Sequence, residues 1–211
     1  MTSSPFLHHD HHIIEYDADL VRARRQASCR RFPPTGTVRC VGIPLYRTRL
    51  ARDLGLLLDL DDDVDAWRCL PASIEVADHD GVIRRHVPDF LVRYGDGSES
   101  YLDAGGLDFQ IVAPGLGWGC VCEDEILAEP AISNAREMLR YARRVVPLGD
   151  RIRLLAYLEE AGTMTLVEAA TAMRESHEPI GAVIALALQR IVKIAWRESR
   201  ITPETQVEAI R

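Results

Sequence analysis

The chain has 211 residues, a formal net charge of −7 and 47% hydrophobic residues, enough for one sizeable domain or two small ones with a real core. No apolar run approaches the roughly 20 residues that span a bilayer. The start, Met1-Thr2-Ser3-Ser4-Pro5, lacks the basic flank and apolar stretch of a secretory signal, so a cytoplasmic protein without membrane contact is expected. The acidic balance argues against a generic nucleic-acid binder, but the charge is segregated. Nine arginines and no acid lie between Arg22 and Arg52, and six acids and no base between Asp53 and Asp65. Two readings stay open: an arm that packs on the acidic surface of its own fold, or an arm that tracks phosphates, since guanidinium forks match phosphate oxygens. On the second, Arg22, Arg24, Arg25, Arg30 and Arg31 are the candidate nucleic-acid contacts. The five cysteines have no metal-type pairing and read as buried free thiols.

In chain order, residues 1–40 show no sustained period and contain Pro33-Pro34-Thr35-Gly36, which predicts an irregular, arginine-rich arm. Within it, His8-His9-Asp10-His11-His12 could hold a metal or simply be a solvated terminal run. From Leu45 the apolar steps Leu50, Leu54, Leu57 and Leu58 turn helical, and an acidic turn over 59–65 follows. Three strands are predicted at 73–77, 83–92 and 100–104, separated by Asp78-His79-Asp80-Gly81 and Gly95-Asp96-Gly97. A fourth strand at 117–122 and a helix over 130–145 complete an α/β layer spanning 41–147. The remainder, 148–211, reads as a small all-α, winged-helix-like domain. Its helices fall at 151–160, at 166–175 behind a Thr165/Glu168 capping box, and at 179–195 opened by Pro179. The last helix is apolar nearly all round, and only Gln189, Arg190 and Lys193 at its end could read bases. It therefore suits burial or protein docking better than a groove.

The chemistry concentrates at Pro88-Asp89-Phe90. Asp89 sits at a kink in a strand, and Asp103 falls on the next strand. Paired strands that each carry a carboxylate are how restriction-type nucleases hold a divalent ion, Mg2+ or Mn2+. Asp89 and Asp103 are thus the candidate catalytic and metal-binding residues. Such a site also wants a lysine two residues beyond the second acid, to stabilise charge on the phosphate. That position is Gly105, and the only lysine in the chain is Lys193. Arg84, Arg85 and Arg93 are the nearby bases that could substitute. His86, three residues before Asp89, falls on the opposite face of a regular strand and reads as a packed or capping histidine.

Four stretches, taken in order, resemble the TnsA-type transposon endonucleases. They are residues 48–67 with Leu70-Pro71, residues 81–92 ending in Pro88-Asp89-Phe90-Leu91-Val92, residues 121–141, and residues 151–194 with Pro203-Glu204-Thr205-Gln206-Val207. The resemblance implies a restriction-endonuclease-like (PD-(D/E)XK) mixed sheet with flanking helices, followed by a winged-helix domain. It also implies metal-dependent DNA cleavage beside a DDE-type transposase subunit. On this match the acid of the opening helix falls on Ala51, with Asp53 the nearest substitute, and the lysine on Gly105. The glycine- and proline-rich residues 105–117 replace a helix. The expectation is a degenerate nuclease that binds DNA or a transposase. The alternatives are an active endonuclease with a migrated base, and a regulator without DNA affinity.

Overall fold

The computed structural model describes residues 17–29, 32, 36–78, 80–106, 109–111 and 117–210. The fold is mixed α/β, with a four-stranded mixed sheet and several helices. Among the described residues no helix is long and apolar enough to cross a membrane. The sheet runs β1 (Val64–Cys69), β4 (Phe90–Tyr94), β5 (Glu99–Ala104), β7 (Gly117–Val121); its first two pairings are antiparallel and the last is parallel. β4 is central, and Phe90, Leu91 and Val92 are all fully buried, as a strand covered on both faces requires.

Helix α2 (Arg49–Leu60) covers one face. The Thr48 side chain caps it by accepting from Ala51 N–H at 3.0 Å. Its leucines serve two cores. Leu54 and Leu58 pack with Trp67, Phe90 and Val92 of the sheet, whereas Leu56 and Leu60 join the C-terminal core. Burial on both sides makes α2 the spine that joins the sheet to the rest of the chain. Trp67 and Phe90 meet edge to face at 5.5 Å.

A second sheet holds β3 (Ile83–His86), β2 (Ile74–Asp78) and β6 (Phe109–Ile111) in that order. The single strand expected at 83–92 is therefore two. Pro88 has no N–H to give to a ladder, and the chain breaks at 87–89 and passes from one sheet to the other. Between Asp103 and Trp118 the described residues contain β6 and the start of β7.

The irregular arm is corrected in part. α1 (Ala18–Cys29) is helical, started by Asp17, whose Oδ1 accepts from the N–H groups of Asp19 and Leu20. Ala23 and Ala27, one turn apart, bury against Leu70 and Val87. The histidine cluster and Arg30 and Arg31 lie outside the described residues. The free thiols are less buried than expected: Cys40, Cys69 and Cys120 are half-buried and Cys122 is exposed.

After β7 come α3 (Glu123–Ile126), α4 (Ala131–Met138) and a 3-10 turn at Leu139–Tyr141. The C-terminal part is not all-α. It runs α5 (Leu148–Ala161), β8 (Thr163–Thr165), α6 (Leu166–Ala170), α7 (Pro179–Leu188), β9 (Val192–Ile194) and β10 (Gln206–Ala209), and β10 lies between β8 and β9. The Thr165/Glu168 capping box and Pro179 at the start of α7 are as predicted. The last helix stops at Leu188, where Arg190 takes φ 57°, and residues expected to extend it form β9 instead.

The two parts are tied by polar contacts as well as by α2. The buried Asn134 of α4 donates to the carbonyls of Trp196 and Ser199, both at 2.7 Å, and its Oδ1 accepts from Ile201 N–H. The acidic run, which one of the two open readings set against the arm, is met mainly by C-terminal cations. Asp61 pairs with Arg197 at 2.8 Å, Asp62 with Lys193 at 3.9 Å and Asp65 with Arg190 at 3.4 Å. From the arm, Arg39 donates its backbone N–H to Asp59.

Candidate functional site

Register alone brings the two carboxylates together. Phe90 pairs with Leu102 across β4 and β5, so the next rung sets Asp89 opposite Asp103. Residues paired across an antiparallel ladder point to one face. Each side chain then bonds to the other strand: Asp89 N–H donates to Asp103 Oδ1 at 3.1 Å, and Ala104 N–H donates to Asp89 Oδ2 at 3.2 Å. These crossed bonds hold the frayed ends of two strands where ordinary ladder bonds stop.

Three further side chains complete the cluster. Arg47, just ahead of the Thr48 cap, donates through Nε and Nη2 to Asp89 Oδ1 at 2.9 and 2.7 Å, and Nη2 lies 3.5 Å from Asp103 Oδ1. His86 Nε2 is 2.9 Å from Asp103 Oδ2, and Trp118 Nε1 donates to the same oxygen at 3.0 Å. Asp103 is 1% exposed and Asp89 7%. Burial pushes the Asp89 carboxyl above its ordinary range; Arg47 pulls it back and the Asp103 charge adds to the rise.

A carboxylate offers about four lone-pair positions. Three of those of Asp103 are met by Asp89 N–H, His86 and Trp118, and the Arg47 guanidinium stands 3.5 Å from Oδ1 as an ion-pair partner. Mg2+ requires an octahedral oxygen shell at about 2.0–2.1 Å. With Arg47 in place, the donor set does not fit Mg2+ or Mn2+. Among the described residues no group of three or more His, Cys, Asp or Glu side chains is placed to hold a metal ion.

The sequence-predicted residues divide cleanly. Asp89 and Asp103 do converge. His86 was expected on the far face, but the break at 87–89 turns it onto Asp103. The base beside the acids is Arg47, whereas Arg84 and Arg85 lie on the exposed β3. Asp53 is not a substitute acid: fully buried, it pairs with Arg52 at 2.9 Å and Arg136 at 2.8 Å, in a cluster of its own. Ala51 is buried in the sheet-side core. Gly105 takes φ +94°, a left-handed conformation in which a lysine would be strained. Of the arm arginines, Arg22 and Arg25 are exposed on α1, and Arg24 donates to the Leu70 carbonyl at 3.2 Å.

Arg47 and Trp118 were missed. Thr48 announces a helix start, but nothing local shows that the preceding arginine reaches back to a carboxylate 42 positions on. Compared with known proteins, the chain matches no family model and no curated sequence.

Proposed function

We propose that this chain is a TnsA-like DNA transposition protein whose nuclease-like site is closed by arginine and does not cut, leaving it to act as a DNA- or transposase-binding subunit. The observation that carries the reading is the pair Asp89 and Asp103, which converge from neighbouring strands on one Arg47 guanidinium. Carboxylates converging from neighbouring strands support a restriction-endonuclease-like reading, and the guanidinium between them supports a closed one. Further support comes from the mixed β1-β4-β5-β7 sheet under α2. The succession helix, strand, helix, helix, strand, strand from α5 to β10, with the last strand between the other two, supports the winged-helix reading of this part. The partner would be a DDE-type transposase subunit on DNA.

The test is incubation of supercoiled plasmid with the protein in Mg2+ or Mn2+, alone and with the transposase. No nicking is expected, and Asp89→Ala should change nothing, while the protein still co-elutes with transposase or DNA. Nicking that is lost in Asp89→Ala would instead establish an active endonuclease, with Arg47 as its migrated base.

A second reading, a regulator without DNA affinity, is favoured by the covering of α7. In a winged-helix domain this helix would enter the groove, yet residues Gly181 to Leu186 are buried. Arg190 and Lys193 beyond it are engaged by Asp65 and Asp62. A gel shift across salt concentrations separates the two. Affinity that falls with salt and weakens in Arg22→Ala/Arg25→Ala supports DNA contact, whereas no shift supports the regulator.

A further inference from the structure

We infer that Arg47 is the resident cation of the Asp89–Asp103 pair, and that removing its guanidinium turns the pair into a divalent-cation site. The inference concerns the chemistry of the pair and is independent of which partner the chain serves. It starts from what holds the carboxylates. Asp89 N–H, Ala104 N–H, Trp118 Nε1 and His86 Nε2 all come from the strands or their ends, and none depends on Arg47. Taking Arg47 away leaves both carboxylates fixed and aimed at the vacated position. The guanidinium comes from a different quarter, the turn before α2, and is the group whose Nη2 lies between the two Oδ1 atoms, 2.7 Å from one and 3.5 Å from the other. Its side chain is 23% exposed.

Charge decides which group can fill that position. Two buried carboxylates without a cation repel each other and are poorly solvated. A hard, oxygen-seeking ion meets both needs, completing its shell with water. Arg47→Met keeps much of the side-chain length without the charge, and losing Nε and Nη2 frees both lone pairs of Asp89 Oδ1.

The experiment titrates terbium(III) into the full-length chain and reads emission sensitised by tryptophan, Trp118 being hydrogen-bonded to Asp103. The acidic run at 59–65 can also take up lanthanide, so the signal that counts is the part abolished by Asp89→Asn. Wild type should give none of this component, Arg47→Met should give one saturating equivalent, and Arg47→Met/Asp89→Asn should lose it. Mn2+ should compete the ion off and raise the melting temperature of Arg47→Met but not of wild type. Arg47→Lys, which keeps the charge, should stay closed.

An Arg47→Met protein with native circular dichroism and no Asp89-dependent emission overturns the inference. So does wild type that binds as well as the variant. If Arg47→Met does not fold, Arg47→Gln is taken through the same series. Failure of both to fold even in millimolar Mn2+ also overturns it, because a divalent ion would then not replace the guanidinium.

Discussion

Arg190→Ala should destabilise the protein by about 1–3 kcal/mol, at about 0.5–1.5 kcal/mol net for each of two donated hydrogens removed. The residue follows α7 and reaches across to the acidic turn after α2. One guanidinium nitrogen, Nη2, shares its two hydrogens among the carbonyls of Asp61 at 2.8 Å, Asp62 at 2.7 Å and Val64 at 2.7 Å. Nη1 lies 3.4 Å from Asp65 Oδ1, but Asp65 is 46% exposed and that pair adds little. The carbonyls carry the magnitude: alanine removes their guanidinium donor, although the Asp61 carbonyl keeps the Val64 N–H at 3.2 Å, and two of the lost bonds are partly buried. The backbone supplies an internal control. Arg190 holds φ 57°, a left-handed conformation that costs a non-glycine residue about 1 kcal/mol or more. Alanine keeps this strain and glycine releases it, so Arg190→Gly should be about 1 kcal/mol more stable than Arg190→Ala. Urea unfolding measures both. With a slope of about 1–3 kcal/mol per molar, the midpoint of the alanine variant should fall by about 1 M. An alanine variant within about 0.5 kcal/mol of wild type, the range of an ordinary surface change, would refute the role assigned to these bonds. A glycine variant no better than alanine would refute the strain.

Two other outcomes rest on buried contacts. Asp59 is fully buried, and desolvation raises its carboxyl to about pH 6 in spite of the N–H of Arg39 and the Trp67 indole. The folded state thus holds a proton between about pH 3.8 and 6 that the unfolded chain releases. Stability from this group is greatest below that window and is lost as pH rises through about 6, by about 3 kcal/mol in all. Asp59→Asn removes the slope, so the variant-minus-wild-type difference, read by urea unfolding from pH 4 to 8, should shift toward the variant by that amount; parallel curves would sink the assignment. Gly181→Ala places a Cβ 2.4 Å from Cε1 of Tyr141, which should cost about 1–3 kcal/mol. Adding Tyr141→Ala should recover part of that loss in a double-mutant cycle, and strict additivity would mean that the two residues are not pressed together.

How far the sequence could lead is clearest at single residues. Asp89 and Asp103 were legible because strand alternation and a hairpin turn are local rules, and register follows from them. The capping box at Thr165 and the proline opening α7 are local in the same way. Arg47 was not legible, because its bond to Asp89 is set by where α2 docks on the sheet. The acid-for-base matches between 61–65 and Arg190, Lys193 and Arg197 span more than a hundred residues. The sequence shows the charges and not their pairing. Helix α1 was obscured by its charged composition, although Asp17 as a cap and Ala23 with Ala27 as a stripe were signals in plain view. β8 and β9 are three residues each, too short for a period, and they gain their identity only from β10 between them.

Both arginine devices turn positive charge inward. Arg47 neutralises a carboxylate pair, and Arg190 ties the acidic turn to the end of α7, with Lys193 and Arg197 beside it. Of the cations nearest the helix that would read DNA in a winged-helix domain, Arg190 is held by the carbonyls of the acidic turn, and Gly181 to Leu186 of that helix are buried. Breaking those contacts exposes buried apolar side chains and an unpaired acidic turn together, which is a costly way to free a binding surface. Any affinity for phosphate must then come chiefly from elsewhere, and α1 presents Arg22 and Arg25 to solvent, with Asp19 a half-exposed ion-pair partner to Arg22. Loss of DNA contact on removing Arg22 and Arg25, with no further loss on Arg190→Ala in a protein that remains folded, would place the contact on α1. The reverse order would require α7 to leave its seat against Tyr141 before DNA binds.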